Sequence, residues 1–277
     1  MRRAALVLAV LLPLAGCSGV NLGPLSTEDV VKAGSAVAAS QREFTPEEEQ
    51  QLGRVVAARV LGTYPLWEDS ARTRYLNLVG QVITRQVGRP NTVWRFALLD
   101  TDTVNAFSCP GGYVFVARGL FQSCRSEAEL ATVLAHECGH VAGKHVLNEI
   151  RRSNLIAAGV SIVADHAGGG GLTADLMRKI GEKGAEVLIS RGMSRKDEYD
   201  ADTRGCRVAH GAGYATAPYE EFLLRLAGRM AAESGGSFAS LARTHPEPSD
   251  RAKRLQEQGL IFADGRTLAD RFTRLGR

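Results

Sequence analysis

One stretch, Leu134-Ala135-His136-Glu137-Cys138-Gly139-His140, constrains this chain more than any other. Successive residues of an α-helix are rotated by about 100°, so His136 and His140, four apart, project from one face and can close on a single metal ion with Glu137 beside them. Two neutral imidazoles, with a carboxylate to take a proton from metal-bound water, make the arrangement of a zinc hydrolase. The flanks supply the helix that this reading requires. Ser126-Glu127-Ala128-Glu129 is a capping box, and Leu130, Val133, Leu134, Val141 and Val146 carry apolar periodicity around the motif.

A catalytic zinc site has three protein ligands and one open position, so a third donor must come from elsewhere in the chain. Gly143 stands where a second histidine pattern wants glycine, but the third histidine of that pattern would fall at Val146, and His145 is one residue early. About 100° of helical rotation separates the two positions, so that pattern is rejected. Downstream, Ser194-Arg195-Lys196-Asp197 caps a helix on which Glu198 and Asp202, four apart, share one face. Glu198 can ligate the metal while Asp202 accepts the N–H of a ligand histidine and so fixes its tautomer and orientation.

The rest of the domain reads as helices around a short run of strands. Thr45-Pro46-Glu47-Glu48 opens a first helix with Leu52, Val55, Val56 and Val60 on one stripe; Tyr75, Leu76, Val79, Val82 and Ile83 mark a second. Extended pieces follow over 93–99 and 104–107, then the turn Cys109-Pro110-Gly111-Gly112 and the strand Tyr113-Val114-Phe115-Val116-Ala117. The expected fold is α+β and mainly α, with a small sheet beside the motif helix. A strand just before a metal helix can offer its free edge to an extended peptide, which makes Gly112, Tyr113, Val114 and Phe115 the expected substrate-binding segment; an ordinary core strand is the alternative. Residues 155–164 resume a helical pattern too short to span a membrane, 168–171 break the chain with four glycines, and Leu172, Leu176, Met177 and Ile180 line a further helix, read as core packing or as a lid.

The motif helix, followed by Glu198-Tyr199-Asp200-Ala201-Asp202, resembles the gluzincin metallopeptidases of the type 1 CAAX prenyl protease, HtpX and periplasmic BepA/LoiP-like lipoprotein group. Asn105-Ala106-Phe107, Pro110-Gly111-Gly112-Tyr113-Val114-Phe115-Val116 and Gly119-Leu120 look like that group's edge-strand segment, and the likeness covers roughly 45–255. The resemblance implies a zincin-like domain with one Zn2+ per chain. It draws attention to His245-Pro246, with Arg251 six residues on: His245 would occupy the fourth metal position in a resting state or donate to the oxyanion, and Arg251 would hold developing negative charge or orient His245. It also implies an endopeptidase acting on unfolded or misassembled envelope proteins. The rival is a zinc-stabilised, chaperone-like lipoprotein that binds extended peptides and hydrolyses little.

Location is read from the first residues. Arg2-Arg3, an apolar stretch over 4–14 and Leu14-Ala15-Gly16-Cys17 form a secretory signal ending in a sequence that resembles a bacterial lipobox, in which Cys17 becomes the acylated first residue. Ser18, where inner-membrane lipoproteins usually carry Asp, points to the periplasmic side of the outer membrane. The expected organisation is a signal over 1–16, a lipid-anchored tether over 17–44, a peptidase domain over 45–262 and a C-terminal tail over 263–277. Loss of residues 1–16 leaves 32 basic against 30 acidic residues, and no basic run interleaved with aromatics appears, so nucleic acid is not an expected partner. Cys109, Cys124, Cys138 and Cys206 would lie in an oxidising compartment; Cys109 and Cys124, flanking one strand-turn unit, are the expected pair, and Cys138 and Cys206 are expected as buried thiols.

Overall fold

The computed structural model describes residues 43–153, 174–233 and 236–276. Signal residues 1–16, Cys17, most of the tether, the segment 155–164, the glycines at 168–171 and Leu172 lie outside these residues. No helix among the described residues is long and apolar enough to cross a membrane.

Helix α1 (Pro46–Thr63) starts where its capping box predicts, with Thr45 Oγ1 accepting from the Glu48 amide and the Glu48 carboxylate accepting from the Thr45 amide. Helix α2 (Ser70–Thr84) is capped by Asp69 and buries Tyr75, Leu76, Val79 and Ile83. Three strands follow: β1 (Arg95–Leu99), β2 (Ala106–Cys109) and β3 (Tyr113–Ala117). A 3-10 turn, Pro110–Gly112, joins the last two, with Gly111 at φ 72° and Gly112 at φ 91° supplying the left-handed backbone that the reversal needs.

The sheet order is β1-β3-β2, with β1 parallel and β2 antiparallel to β3. The expectation that Gly112, Tyr113, Val114 and Phe115 offer a free edge is therefore corrected, because β3 is paired on both sides. The reason is topological, since β1 pairs along one edge of β3 and β2 along the other; the unbroken apolar run of β3 suits burial on both faces. Val114 and Val116 enter one core, with Phe96, Leu98 and Leu134, while Phe115 enters a second with Leu52, Val56 and Phe107. The edge strands are β1, which takes a bridge from Leu66 at Leu99, and β2, whose four residues are buried.

Helix α3 (Arg118–Ser123) leads into the motif helix α4 (Glu127–Ala142), in which every residue from Glu127 to Val141 is buried. Helices α5 (His145–Arg152) and α6 (Ala174–Glu186), then a π-helical turn (Val187–Arg191), lie along α1 and the second core. Leu176, Met177 and Ile180 are buried, so of the two readings of this segment the packed helix is the one found. Helices α7 (Arg195–Gly211), α8 (Ala217–Ala232), α9 (Ala239–Thr244), α10 (Pro248–Glu257) and α11 (Ala269–Leu275) complete the order.

Two further expectations are corrected. Residues 263–276 are part of the domain rather than a tail. Phe272 of α11 is fully buried against Tyr75 and Phe121, Tyr214 bridges Arg266, and Arg271 pairs with Glu127 at the start of α4. The expected Cys109–Cys124 disulfide is absent, since all four domain cysteines are buried free thiols. Cys109 sits in the second core and Cys124 in the first, so their closeness in sequence does not bring their sulfurs together.

Candidate metal centre

Two glycines bring α4 and α7 into backbone contact. A Cβ on Gly205 would lie 2.9 Å from the His136 Cα, and one on Gly139 would lie 3.1 Å from the Ala201 carbonyl oxygen. At this approach, carboxylates on the facing side of α7 reach the histidines of α4. The Nε2 atoms of His136 and His140 are 3.1 Å apart; Glu198 Oε1 is 3.5 Å from His140 Nε2, and Oε2 is 3.7 Å from His136 Nε2. On the far side of His136, Asp202 Oδ1 lies 2.9 Å from Nδ1.

His245 follows α9 and joins the same group, its donors within 4.8 Å of those of His136 and Glu198. Its Nδ1 is 2.7 Å from Glu198 Oε2 and its Nε2 is 3.2 Å from the Asn105 carboxamide oxygen. Asn105 also donates to Ser240, which ties the residue before β2 to the helix that carries His245. Gly192, at φ 75°, faces Thr244 so closely that a Cβ would sit 2.1 Å from its carbonyl oxygen, and this contact seats the loop on which His245 stands.

Arg251 lines the same small cavity as Glu137 and His245, and its hydrogen bonds go to the residues behind His136. Its Nε donates to Asp202 Oδ2 at 2.9 Å, and its Nη2 donates to Asp202 Oδ1 at 2.6 Å and to the Tyr219 hydroxyl at 2.7 Å, with His136 Nδ1 3.3 Å away. The guanidinium is 4% exposed and acts through Asp202 on the back of His136. Tyr219 is a contributor that sequence reasoning missed, while Asn105 enters it only within the strand segment and His145 only as a rejected ligand. His145 stacks edge-on to His140 with the two Nδ1 atoms 2.9 Å apart.

Electrostatics favour ionised Glu198 and Asp202 carboxylates and a neutral His140 imidazole, while burial works against the charge on His245 but Glu198 raises its pKa. Burial works against the Glu198 charge, yet His245 and His140 hold its pKa down at about 2. Asp202 is likewise held well below the usual carboxylate range, burial being outweighed by Arg251. Burial pushes the His140 pKa well below that of a free histidine, which keeps its imidazole neutral and able to donate a lone pair.

The donor set fits zinc. Imidazole nitrogens about 2.0–2.1 Å from one tetrahedral ion lie about 3.3 Å apart, close to the separation of the two Nε2 atoms. Glu198 Oε1 is fully buried and has no hydrogen-bond partner. An ionised oxygen left so is costly, and a divalent cation between it and the imidazoles removes the cost. His136, His140 and Glu198 would hold the ion, with His245 at the fourth side.

Glu137 is 4% exposed and lies where two narrow cavities meet. One, of about 20 Å³, is lined by Ala106, Phe107 and Ser108 of β2 and by Leu188 and Met193; the other, of about 30 Å³, by Val133, Phe222, Leu226 and Leu241. The β2 edge, not β3, is therefore the strand at the site. Each cavity holds a water or two and no extended peptide. A larger open cleft of about 520 Å³, bounded by Phe44, Glu49, Arg89 and Lys144, contains none of these residues.

A helix-borne His-Glu-x-x-His motif with a glutamate from a second helix defines the gluzincin class of metallopeptidase. The model of peptidase family M48 matches residues 70–258, and the chain belongs to that family. It is similar to the beta-barrel assembly-enhancing protease of Escherichia coli strain K12, 27% identical over 214 residues, covering 74% of this chain and 42% of the relative. The mitochondrial metalloendopeptidase OMA1 of Arabidopsis thaliana is 30% identical over 172 residues, 61% of this chain and 32% of the relative. Metalloprotease YcaL of Escherichia coli strain K12 is 29% identical over 158 residues, 57% and 59%. This chain spans less than half the length of the assembly-enhancing proteases that it matches.

Proposed function

We propose that this chain is a zinc-dependent endopeptidase of the bacterial cell envelope that hydrolyses peptide bonds of unfolded or misassembled envelope proteins. The observation that carries the reading is the convergence of His136, His140 and the unpartnered Glu198 Oε1 beside Glu137. Membership of family M48 and the names of the relatives support the peptidase activity and the class of substrate. Bound zinc would supply Lewis-acid polarisation of the scissile carbonyl and acidify a water.

The chain's own residues do the rest. Glu137, in a site nearly closed to bulk water, takes a proton from the attacking water and passes it to the leaving amine. Asp202, itself held by Arg251, orients His136. An extended substrate pairs with the β2 edge, whose Ala106, Phe107 and Ser108 line the cavity at Glu137. His245, hydrogen-bonded to Glu198 and Asn105, would close the site at rest as a further donor toward the metal and would donate to the oxyanion when substrate is bound. The narrowness of both cavities supports this resting closure.

Cleavage of unfolded casein by wild type and Glu137→Gln, with zinc content measured on both, tests the activity. Wild type should cleave, Glu137→Gln should retain zinc and lose cleavage, and His245→Ala should alter the rate. The narrow cavities and His245 among the metal donors also favour a second reading, a zinc-stabilised chaperone-like lipoprotein that binds extended peptides. That reading prevails when wild type and His245→Ala both hold zinc and neither cleaves. Anchoring through Cys17 to the periplasmic face of the outer membrane belongs to the same proposal. Labelled palmitate incorporated by the wild type and not by Cys17→Ala checks it.

A further inference from the structure

His145 was set aside as a metal ligand on its sequence position, and its ring does face away from the metal-binding nitrogens. Its place in the structure is nonetheless specific. Nδ1 lies 2.9 Å from His140 Nδ1, Nε2 lies 3.2 Å from Asp200 Oδ2 and 3.9 Å from Asp197 Oδ1, and the side chain is 4% exposed. Asp200 is itself held by Arg204, and Asp197 by Ser194 and Arg152.

We propose that His145 is the positioning residue for His140, an imidazole bridge that ties the ligand's Nδ1–H to the Asp200 carboxylate on α7. The proton bookkeeping closes in one way only. His140 turns Nε2 toward His136 and Glu198, so its proton sits on Nδ1 and donates to His145 Nδ1; the proton of His145 then sits on Nε2 and donates to Asp200. Each ligand histidine of α4 is thereby backed by a carboxylate of α7: His136 directly by Asp202, and His140 by Asp200 through one intervening ring.

The backbone between the two histidines is built for this contact. On an unbroken helix a residue five positions after His140 would lie about 140° round the axis and could not meet its ring. Helix α4 instead ends at Ala142, Lys144 takes left-handed backbone at φ 55° and ψ 33°, and α5 begins at His145. Left-handed backbone is unfavourable for a lysine, a strain that persists only where the surroundings impose it. Gly143 completes the fit, since a Cβ there would lie 2.2 Å from His145 Nε2.

This inference rests on the metal reading of His136, His140 and Glu198, and the experiment separates the two. Zinc dissociation constants are measured by chelator competition on the full chain for wild type, His140→Ala, His145→Leu and His145→Asn. The asparagine keeps an acceptor at the Nδ1 position and leucine keeps volume alone. Positioning predicts that His145→Leu weakens zinc about 10–100-fold, as loss of an outer partner of a ligand does, and that His145→Asn stays within about threefold. The ligand-field absorption of the cobalt(II)-substituted protein should be preserved in His145→Asn and shifted in His145→Leu. A His145→Leu protein with wild-type affinity, or a His145→Asn protein as weak as His145→Leu, overturns the proposal. Where His145→Leu does not fold, Asp200→Ala decides: a several-fold weaker constant supports the bridge and an unchanged one overturns it. If His140→Ala leaves the constant unchanged, the metal site itself fails; if it abolishes binding while His145→Leu does not weaken it, only the bridge fails.

Discussion

Arg251→Met discriminates between two roles for a buried arginine near a metal centre. The substitution keeps most of the side-chain volume and removes a guanidinium that makes two hydrogen bonds to Asp202 and one to Tyr219. Removing one partner of a buried ion pair costs about 3–5 kcal/mol, because the other charge is left without compensation. Here Asp202 keeps His136 Nδ1 at 2.9 Å and the Tyr219 hydroxyl at 3.3 Å, so the lower end applies, about 3 kcal/mol. For a domain of this size that lowers the melting temperature by about 6–12 °C. Urea unfolding of the metal-free protein reads the cost directly, and a double-mutant cycle with Asp202→Asn should return a coupling of about 2 kcal/mol. Zinc affinity should fall about 10–100-fold, since Asp202 then orients His136 less firmly. If Arg251→Met keeps the urea midpoint and the zinc constant of wild type while kcat/KM drops more than tenfold, Arg251 stabilises the transition state directly and the buttress reasoning is wrong.

Three more expectations test other parts of the structure. Glu127 accepts from Tyr75, Tyr214 and Arg271; its burial raises the pKa, but Arg271 and the two tyrosines bring it below the usual glutamate value. The stabilisation is therefore complete above the unfolded value of about 4.5 and lost as pH falls through the folded one; Arg271→Leu should lower stability at neutral pH and flatten its decline below pH about 5, and an unchanged acid unfolding profile would count against the pairing. Gly192→Ala, at φ 75° and ψ 177°, should cost about 1–3 kcal/mol and displace the Thr244–His245 segment, which a urea titration and a changed cleavage rate would register. In a Cys17→Ser chain the four buried thiols should not react with a thiol reagent when native, because burial pushes their pKa values up, and all four should react on denaturation without reductant; fewer than four would mean a disulfide.

What the sequence makes legible here is what helical periodicity controls. His136 with His140, and Glu198 with Asp202, are pairs at the i,i+4 spacing, and both survive into the structure as neighbours because the helices that hold them are regular and the two glycines let them touch. The order of the sheet is set by a different kind of information. The apolar run of β3 signals a strand covered on both faces, but only its parallel pairing with β1, Arg95 with Tyr113 through Leu99 with Ala117, and its antiparallel pairing with β2 decide that β3 is central and that β2 stands at an edge. The C-terminal helix escapes notice for lack of a stripe: its seven residues bury Phe272 alone. His145 is the instructive case, because the rotation argument that excludes it as a ligand is correct for a continuous helix and silent about a break. Lysine at a left-handed position carries no signal in a single sequence, unlike glycine, so the turn that swings His145 back under His140 could not be anticipated. The same break that removes His145 from the metal's ligand list gives it a reason to be buried, and the two helices of the site become coupled twice, once through Asp202 and once through Asp200. A metal centre held in that way transmits any movement of α7 to both ligand histidines at once, so displacing α7 should loosen the zinc rather than merely detach Glu198.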